Sequence, residues 1–142
     1  MKRSSTIPKK IVIAQNLFEL LNGPIKQKFP EATIINLPTD ENVNSAAGIV
    51  SSANVFIGNH ISSLIHMIWM NPKSTVIDVT NKNCACNKWG EKLASRIELN
   101  YFSLNEANSC ECDNFKCYMA QSFEPVDIRI DEILSQIQKA FS

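Results

Sequence analysis

Residues 55–79 decide the fold, and they read VFIGNHISSLIHMIWMNPKSTVIDV. The stretch from Val55 to Gly58 has the composition of a buried strand, and a polar turn follows it. From Ser62 to Met70 the apolar residues recur at helical spacing, as Leu64, Ile65, Ile68 and Trp69. Residues 74–79 (STVIDV) are again rich in β-branched side chains. The segment therefore predicts a strand, a helix and a second strand in direct succession.

The same alternation extends in both directions along the chain. Further strands are predicted at Lys10–Ala14, Thr33–Leu37 and Asn100–Ser103. Helices are predicted at 17–29, 43–52, 87–96 and 130–141. Gly23 and Pro24 should split the first of these helices in two. The expected N-caps are Asp40 or Asn44 for the second helix and Asn87 for the third, and the last helix should begin near Asp127 or Arg129. Strands alternating with helices predict an α/β fold, a Rossmann-like parallel sheet with helices on both faces.

Length and composition bound the organisation of the chain. Its 142 residues suffice for one domain, and 44% hydrophobic with 20% charged residues exclude a disordered chain. We expect a basic tail over residues 1–9 and a single domain over 10–142. A net charge of zero argues against a nucleic-acid partner. The longest apolar run, 53–70, is interrupted by polar residues, so we expect no membrane span. Residues 1–30 lack the apolar core of a signal peptide.

Five cysteines follow the pattern C-x-C, twenty-three residues, then C-x-C-x4-C; they are Cys84, Cys86, Cys110, Cys112 and Cys117. The last three fall in a polar, Cys-rich loop predicted over 105–121. Zinc ligands are usually paired as C-x2-C, so this spacing favours disulfides over a metal site, with free thiols as the third alternative. No Ser-His-Asp, P-loop or paired-carboxylate motif supports a hydrolase or a kinase.

The turn after Gly58 is the strongest candidate site. In parallel α/β sheets ligands bind at the carboxyl ends of the strands, where free N–H groups at a helix start attract anions. Ser62 and Ser63 offer hydroxyl donors there, and His60 offers a donor or a positive charge. In the alternative interpretation Ser62 is only a helix N-cap and His60 only a loop side chain.

Two further side chains belong to the same edge of the predicted sheet. His66 lies four residues after Ser62, either near the site or as an ordinary boundary residue of the helix. Asp78 lies near the end of the strand at 74–79, where a carboxylate accepts hydrogen bonds from a sugar diol or caps the following loop.

Residues 52–79, SANVFIGNHISSLIHMIWMNPKSTVIDV, resemble the pattern SADVFIGxHGAGLTHxxFxPPGSxVxEx of the glycosyltransferase family 61 domain. Residues 92–102 (KLASRIELNYF) and 123–141 are similar to two later segments of that family. The resemblance implies the C-terminal lobe of a two-lobed GT-B enzyme. Such enzymes transfer a sugar from a UDP-sugar to a protein or glycan hydroxyl with inversion, and need no metal or other cofactor.

The same resemblance assigns the site residues. The positions that would surround the donor are Asn59, His60, Ser62, Ser63, His66 and Asp78. Ile61 stands where the family motif has its first glycine. No general base is assigned, because in such enzymes the acceptor commonly binds near the N-terminal lobe, which this chain would need as a further domain or a partner chain. The family and the cysteines together imply the lumen of the secretory pathway.

Two other functions remain open at this point. In one, Ile61 closes the phosphate loop and the domain is an inactive scaffold or partner-binding module. In the other, the cysteine cluster holds zinc and serves as an interaction element.

Overall fold

The computed structural model describes residues 9–38, 43–59, 63–79, 89–104 and 129–142, without the side chains of residues 43, 44 and 89. Five strands form one sheet in which every neighbouring pair is parallel, in the order β2-β1-β3-β4-β5. They are β1 (Lys10–Ala14), β2 (Thr33–Leu37), β3 (Val55–Gly58), β4 (Thr75–Asp78) and β5 (Asn100–Ser103). This order is common among doubly wound sheets, and it confirms the predicted α/β, Rossmann-like fold.

The helices cover both faces of the sheet. Those in the described ranges are α1 (Gln15–Lys28), α2 (Val43–Ser51), a 3₁₀ helix (Ile65–Trp69), α3 (Trp89–Ile97) and α4 (Ile130–Ala140). One hydrophobic cluster joins the sheet to α1 and α4, and a second joins it to the other three helices. The connection from β1 to β2 crosses the strand order in one direction, and the connections from β2 to β3, β3 to β4 and β4 to β5 cross it in the opposite direction. Crossovers of a single hand therefore place α1 on the face opposite α2.

The central strands are buried on both faces, which explains their uninterrupted apolar sequences. In β1, Ile11 and Ile13 belong to the cluster on the α1 face, whereas Val12 between them belongs to the other cluster. In β3, Phe56 lies on the α2 face, and it is completely buried. Neither strand offers a polar side to solvent, so both must lie inside a two-sided sheet.

Helix α1 is continuous, so the predicted split at Gly23 and Pro24 is wrong. An interior proline costs roughly 3 kcal/mol, but the helix buries Leu17, Leu21 and Ile25 completely on one face. Each such burial contributes roughly 1.5–3 kcal/mol, so the packing outweighs the proline. Gly23 also helps, because a residue without Cβ avoids the clash that the residue before a proline normally meets in a helix.

The helix predicted over 62–70 has the wrong period. Residues 65–69 form a 3₁₀ helix with three residues per turn, and the residues that it buries are Leu64, Met67 and Met70. Three of the four residues that gave the helical spacing, Ile65, Ile68 and Trp69, are 38–42% exposed. The segment winds more tightly than the predicted period of 3.6, so every third residue is buried.

The remaining differences concern the ends of elements. Lys9, the last residue of the predicted tail, accepts a hydrogen bond from the N–H of Thr33 through its carbonyl, and its ammonium lies 5.4 Å from the centre of the Phe141 ring. Helix α4 begins at Ile130 with Asp131 and Glu132 in its first turn, where acidic side chains stabilise a helix dipole. Residues 1–8, the caps Asp40, Asn87 and Asp127, and the Cys-rich loop at 105–121 lie outside the described residues. Within the described ranges no helix has the length and apolar character needed to span a bilayer.

Candidate functional site

The carboxyl ends of β1 and β3 form the topological switch point of the sheet. These neighbouring strands are followed by segments that pass to opposite faces, because α1 and the 3₁₀ helix belong to different hydrophobic clusters. A crevice at such a point is the usual ligand site in open α/β sheets. Helix α1 begins at Gln15 directly after β1, whereas β3 is followed by Asn59 and the predicted anion-binding turn.

Asn59 is held in place across the switch point. Its side chain is buried, with 4% of its surface exposed, and its Oδ1 accepts a hydrogen bond of 3.1 Å from Nδ2 of Asn16. Asn16 lies in the first turn of α1, so this bond joins the exits of the two strands. Asn16 is not among the residues predicted for the site. The available signal was the polar pair that directly follows the KIVIA strand at the same edge.

Ser63 closes the turn after β3. Its Oγ accepts a hydrogen bond of 3.1 Å from the backbone N–H of Asn59 and donates to the backbone carbonyl of the same residue. One hydroxyl therefore satisfies both main-chain groups of Asn59, as serine commonly does at turns. The contact of Ser63 with a ligand stays a prediction.

Gly58 allows the side chains of Ser63 and Leu64 to approach β3 closely. A Cβ at this position would lie 3.1 Å from Oγ of Ser63 and 3.2 Å from Cδ2 of Leu64. The Leu64 side chain is completely buried, so it has little room to move aside. The glycine is thus explained by packing, with no unusual backbone conformation.

A buried carboxylate ends the neighbouring strand. Asp78, 6% exposed, is the register partner of Gly58, and one of its oxygens, Oδ2, accepts a hydrogen bond from the Tyr101 hydroxyl on β5. In the first turn of α3, a Cβ at Gly90 would lie 3.3 Å from both Oδ2 of Asp78 and the Tyr101 hydroxyl oxygen. The helix approaches this pair through a residue that has no side chain, and its positive end favours the carboxylate charge.

The surroundings of Tyr101 keep its hydroxyl protonated. Burial raises the pKa of Tyr101 far above its usual range, and the negative charge of Asp78 and the hydrogen bond to it act in the same direction. A hydrogen bond with the Ser103 side chain opposes this shift without cancelling it. Tyr101 is therefore a permanent donor and Asp78 its acceptor.

His66 lies on the 3₁₀ helix, and its imidazole is partly buried. Burial lowers the pKa of this ring below its ordinary value, so the ring is neutral near pH 7. A neutral imidazole offers hydrogen bonds but no positive charge to a phosphate. The assignment of His66 to the donor site stays a prediction.

The other predicted site residues lie outside the described residues. They are His60, Ser62 and the five cysteines, so disulfides, zinc and free thiols remain the three alternatives for Cys84, Cys86, Cys110, Cys112 and Cys117. Across the ranges that the structure covers, no group of three His, Cys, Asp or Glu side chains is arranged to hold a metal ion.

The opposite edge of the sheet has a different character. A cleft of about 190 Å³ lies between the ends of α1 and α4, with Lys9, Lys28, Glu31 and Phe141 in its lining. Lys9 lies over the Phe141 ring, which packs edge-on against Phe29. The lysines here lie near the C-terminal ends of helices, where they complement the negative end of the dipole.

The sequence matches no protein-family model and no curated protein. The resemblance to glycosyltransferase family 61 therefore rests on the residues quoted for it, and any function argued for the chain rests on the two strand ends at the carboxyl edge.

Proposed function

We propose that this domain binds a UDP-sugar at the carboxyl edge of its sheet and is the donor-binding lobe of an inverting glycosyltransferase similar to family 61. The observation that carries the proposal is the register of β3 and β4. Gly58 pairs with Asp78, so the ends of β3 and β4 lie side by side, about 5 Å apart between strands, and Asn59 follows β3 next to the strand end that carries the Asp78 carboxylate. A nucleoside diphosphate needs such neighbours, a donor-rich turn for phosphate and an acceptor for ribose hydroxyls.

The chemistry assigned to this lobe is stabilisation of the leaving group. In an inverting transfer the acceptor hydroxyl loses its proton to a base, its oxygen forms a bond to the anomeric carbon, and the bond from that carbon to UDP breaks. Negative charge then builds on the diphosphate. Backbone N–H groups in the turn after Asn59, with His60, would neutralise that charge. The base is assigned to no residue of this chain.

One observation favours a second candidate, an inactive scaffold. The hydroxyl of Ser63 is engaged with both main-chain groups of Asn59, and the Asn59 side chain is engaged with Asn16. Both residues that flank the turn are thus held by hydrogen bonds within the protein, and Ile61 stands in place of a motif glycine, as expected of a scaffold that binds no phosphate.

Titration of the full chain with UDP by calorimetry separates the two candidates. The enzyme proposal predicts binding at or below millimolar UDP that is weakened about tenfold in His60→Ala and in Asp78→Asn, the loss of roughly one charge-assisted hydrogen bond each. Glu31→Gln makes the same acid-to-amide change on an exposed side chain at the amino edge and should leave binding unchanged. No binding at millimolar UDP favours the scaffold, and binding unaffected by His60→Ala refutes the phosphate assignment.

A further inference from the structure

Asp78, Tyr101 and Gly90 form a polar cluster that brings three elements together at the carboxyl edge. On β5, Tyr101 is the register partner of Val76, two residues before Asp78 on β4. Its side chain extends along the strands, so that the hydroxyl contacts the carboxylate of Asp78. Gly90 brings the first turn of α3 against both side chains. The cluster fixes the orientation of one carboxylate at the end of β4, beside the turn to which the phosphate is assigned.

Packing alone does not require this hydroxyl. The Tyr101 ring lies against the hydrophobic cluster on the α3 face, a place that a phenylalanine would fill equally well. The hydroxyl adds hydrogen bonds with the side chains of Asp78 and Ser103, and the one to Asp78 is directed at Oδ2. Because burial and the nearby charge keep the phenol protonated, Tyr101 is the donor of this bond and Asp78 its acceptor.

We propose that Tyr101 is a positioning residue, which holds the Asp78 carboxylate in the orientation that accepts hydrogen bonds from the paired hydroxyls of a nucleotide ribose. The inference rests on the proposed function, since it concerns the sugar of the same nucleotide. An ionised carboxylate accepts hydrogen bonds and donates none, so at this position it selects ligands with hydroxyl donors. Tyr101 then controls discrimination between ribose and deoxyribose without contacting the ligand.

The test compares UDP with 2′-deoxy-UDP on the full chain, by calorimetry, for the unaltered protein and for Tyr101→Phe. We expect the unaltered protein to bind UDP about ten times more tightly, since the site is built for the missing hydroxyl. In Tyr101→Phe this preference should fall to about threefold or less, while 2′-deoxy-UDP binds nearly as before. A purely structural role of Tyr101 would weaken both nucleotides by the same factor.

Gly90→Ala provides a second variant with Tyr101 intact. Its Cβ would press on Oδ2 of Asp78 and on the tyrosine hydroxyl, so the preference for UDP should again decrease. Gly48→Ala, an exposed glycine in α2 with no atom within 4 Å of an added Cβ, is the matched control and should keep the full preference.

Three outcomes overturn the inference, and they are distinguishable from one another. A UDP preference that is unchanged in both Tyr101→Phe and Gly90→Ala removes the positioning role and leaves the proposed function standing. Equal binding of UDP and 2′-deoxy-UDP by the unaltered protein shows that Asp78 does not accept a hydrogen bond from the 2′-hydroxyl of the ribose. Binding of neither nucleotide contradicts the proposed function itself.

Discussion

At the carboxyl edge of the sheet, Asn59 and Asp78 are buried and bonded to other side chains, whereas at the amino edge Asn54 and Asn100 are more exposed and bond to the backbone. Asn54 accepts from the N–H of Lys10 at 2.7 Å, and Asn100 donates to the carbonyl of Lys73 at 3.0 Å. The amino-edge bonds complete main-chain groups at strand ends. At the carboxyl edge, buried side chains bond to one another, which is not needed to satisfy the main chain. Such preorganised polar pairs are typical of ligand-binding sites.

The largest effect is expected at Gly58, where a substitution should lower stability and also abolish UDP binding. In Gly58→Val the added atoms collide with Ser63 and Leu64, and overpacking in a buried site costs about 1–3 kcal/mol of unfolding free energy, as urea denaturation would show. The turn should also move away from β3 and UDP binding should be lost. Gly48→Ala is the control and should stabilise the protein by about 0.5–1 kcal/mol, because α2 gains a better helix former in open space. A Gly58→Val protein as stable as the unaltered one, with UDP binding intact, would show that the close approach is unnecessary.

The next effect is the pH dependence contributed by Tyr101. Its pKa is raised in the folded protein, so the stabilisation is fully present below pH of about 10 and is lost as the pH rises above that value, where the unfolded tyrosine ionises. Tyr101→Phe should cost about 1.5–3 kcal/mol at pH 7 and less at pH 11, measured by urea unfolding at both values. An equal cost at the two pH values would show that the Tyr101 hydroxyl is not preferentially protonated in the fold.

A smaller effect is expected from the bond across the switch point. Asn16→Ala leaves the buried Asn59 amide oxygen without its donor, at a cost of about 1 kcal/mol. Asn100→Ala removes an exposed bond at the opposite edge and should cost about half as much or less. If the two variants are equally stable, the buried bond at the carboxyl edge contributes no more to the free energy of unfolding than the exposed bond at the amino edge.

The smallest effect concerns His66. Its pKa is lowered by burial, so the neutral ring stabilises the fold above the ordinary pKa of about 6.5, and that contribution is lost as the pH falls through the lower folded value. An NMR titration of the ring should give a midpoint below 6.5, and His66→Gln should remove this part of the acid dependence. A midpoint at or above 6.5 would place the ring in solvent or beside a negative charge.

Much of the fold follows from the sequence, because the strands are buried on both faces and appear as short apolar runs. The bounds predicted for β1, β2, β3 and β5 agree with the structure. Two helical predictions failed for different reasons. In α1 the burial of three aliphatic residues outweighs the effect of Pro24, and in the 3₁₀ helix the tighter winding selects a different set of buried residues.

The site was less accessible to sequence reasoning. Two parts of the site could be predicted, because the carboxyl ends of parallel strands meet at one edge of the sheet. They are Asp78 and the turn that follows Gly58. Asn16 follows β1 at the same edge, so that rule could have included it, whereas Gly90 and Tyr101 contact Asp78 only because the fold brings distant parts of the sequence together. No local pattern distinguishes such a tyrosine from one that simply packs on a hydrophobic cluster.

The most direct test of the central claim is an NMR map of UDP binding on the full chain. The carboxyl-edge site predicts that the amide signals of Gly58, Asn59, Ser63 and Val79 shift as UDP is added up to millimolar concentration. Signals around Lys9, Lys28 and Glu31 at the amino edge should stay in place. Shifts confined to the lysine-lined cleft, or no shifts at all, would contradict the assignment of a nucleotide site to the carboxyl edge.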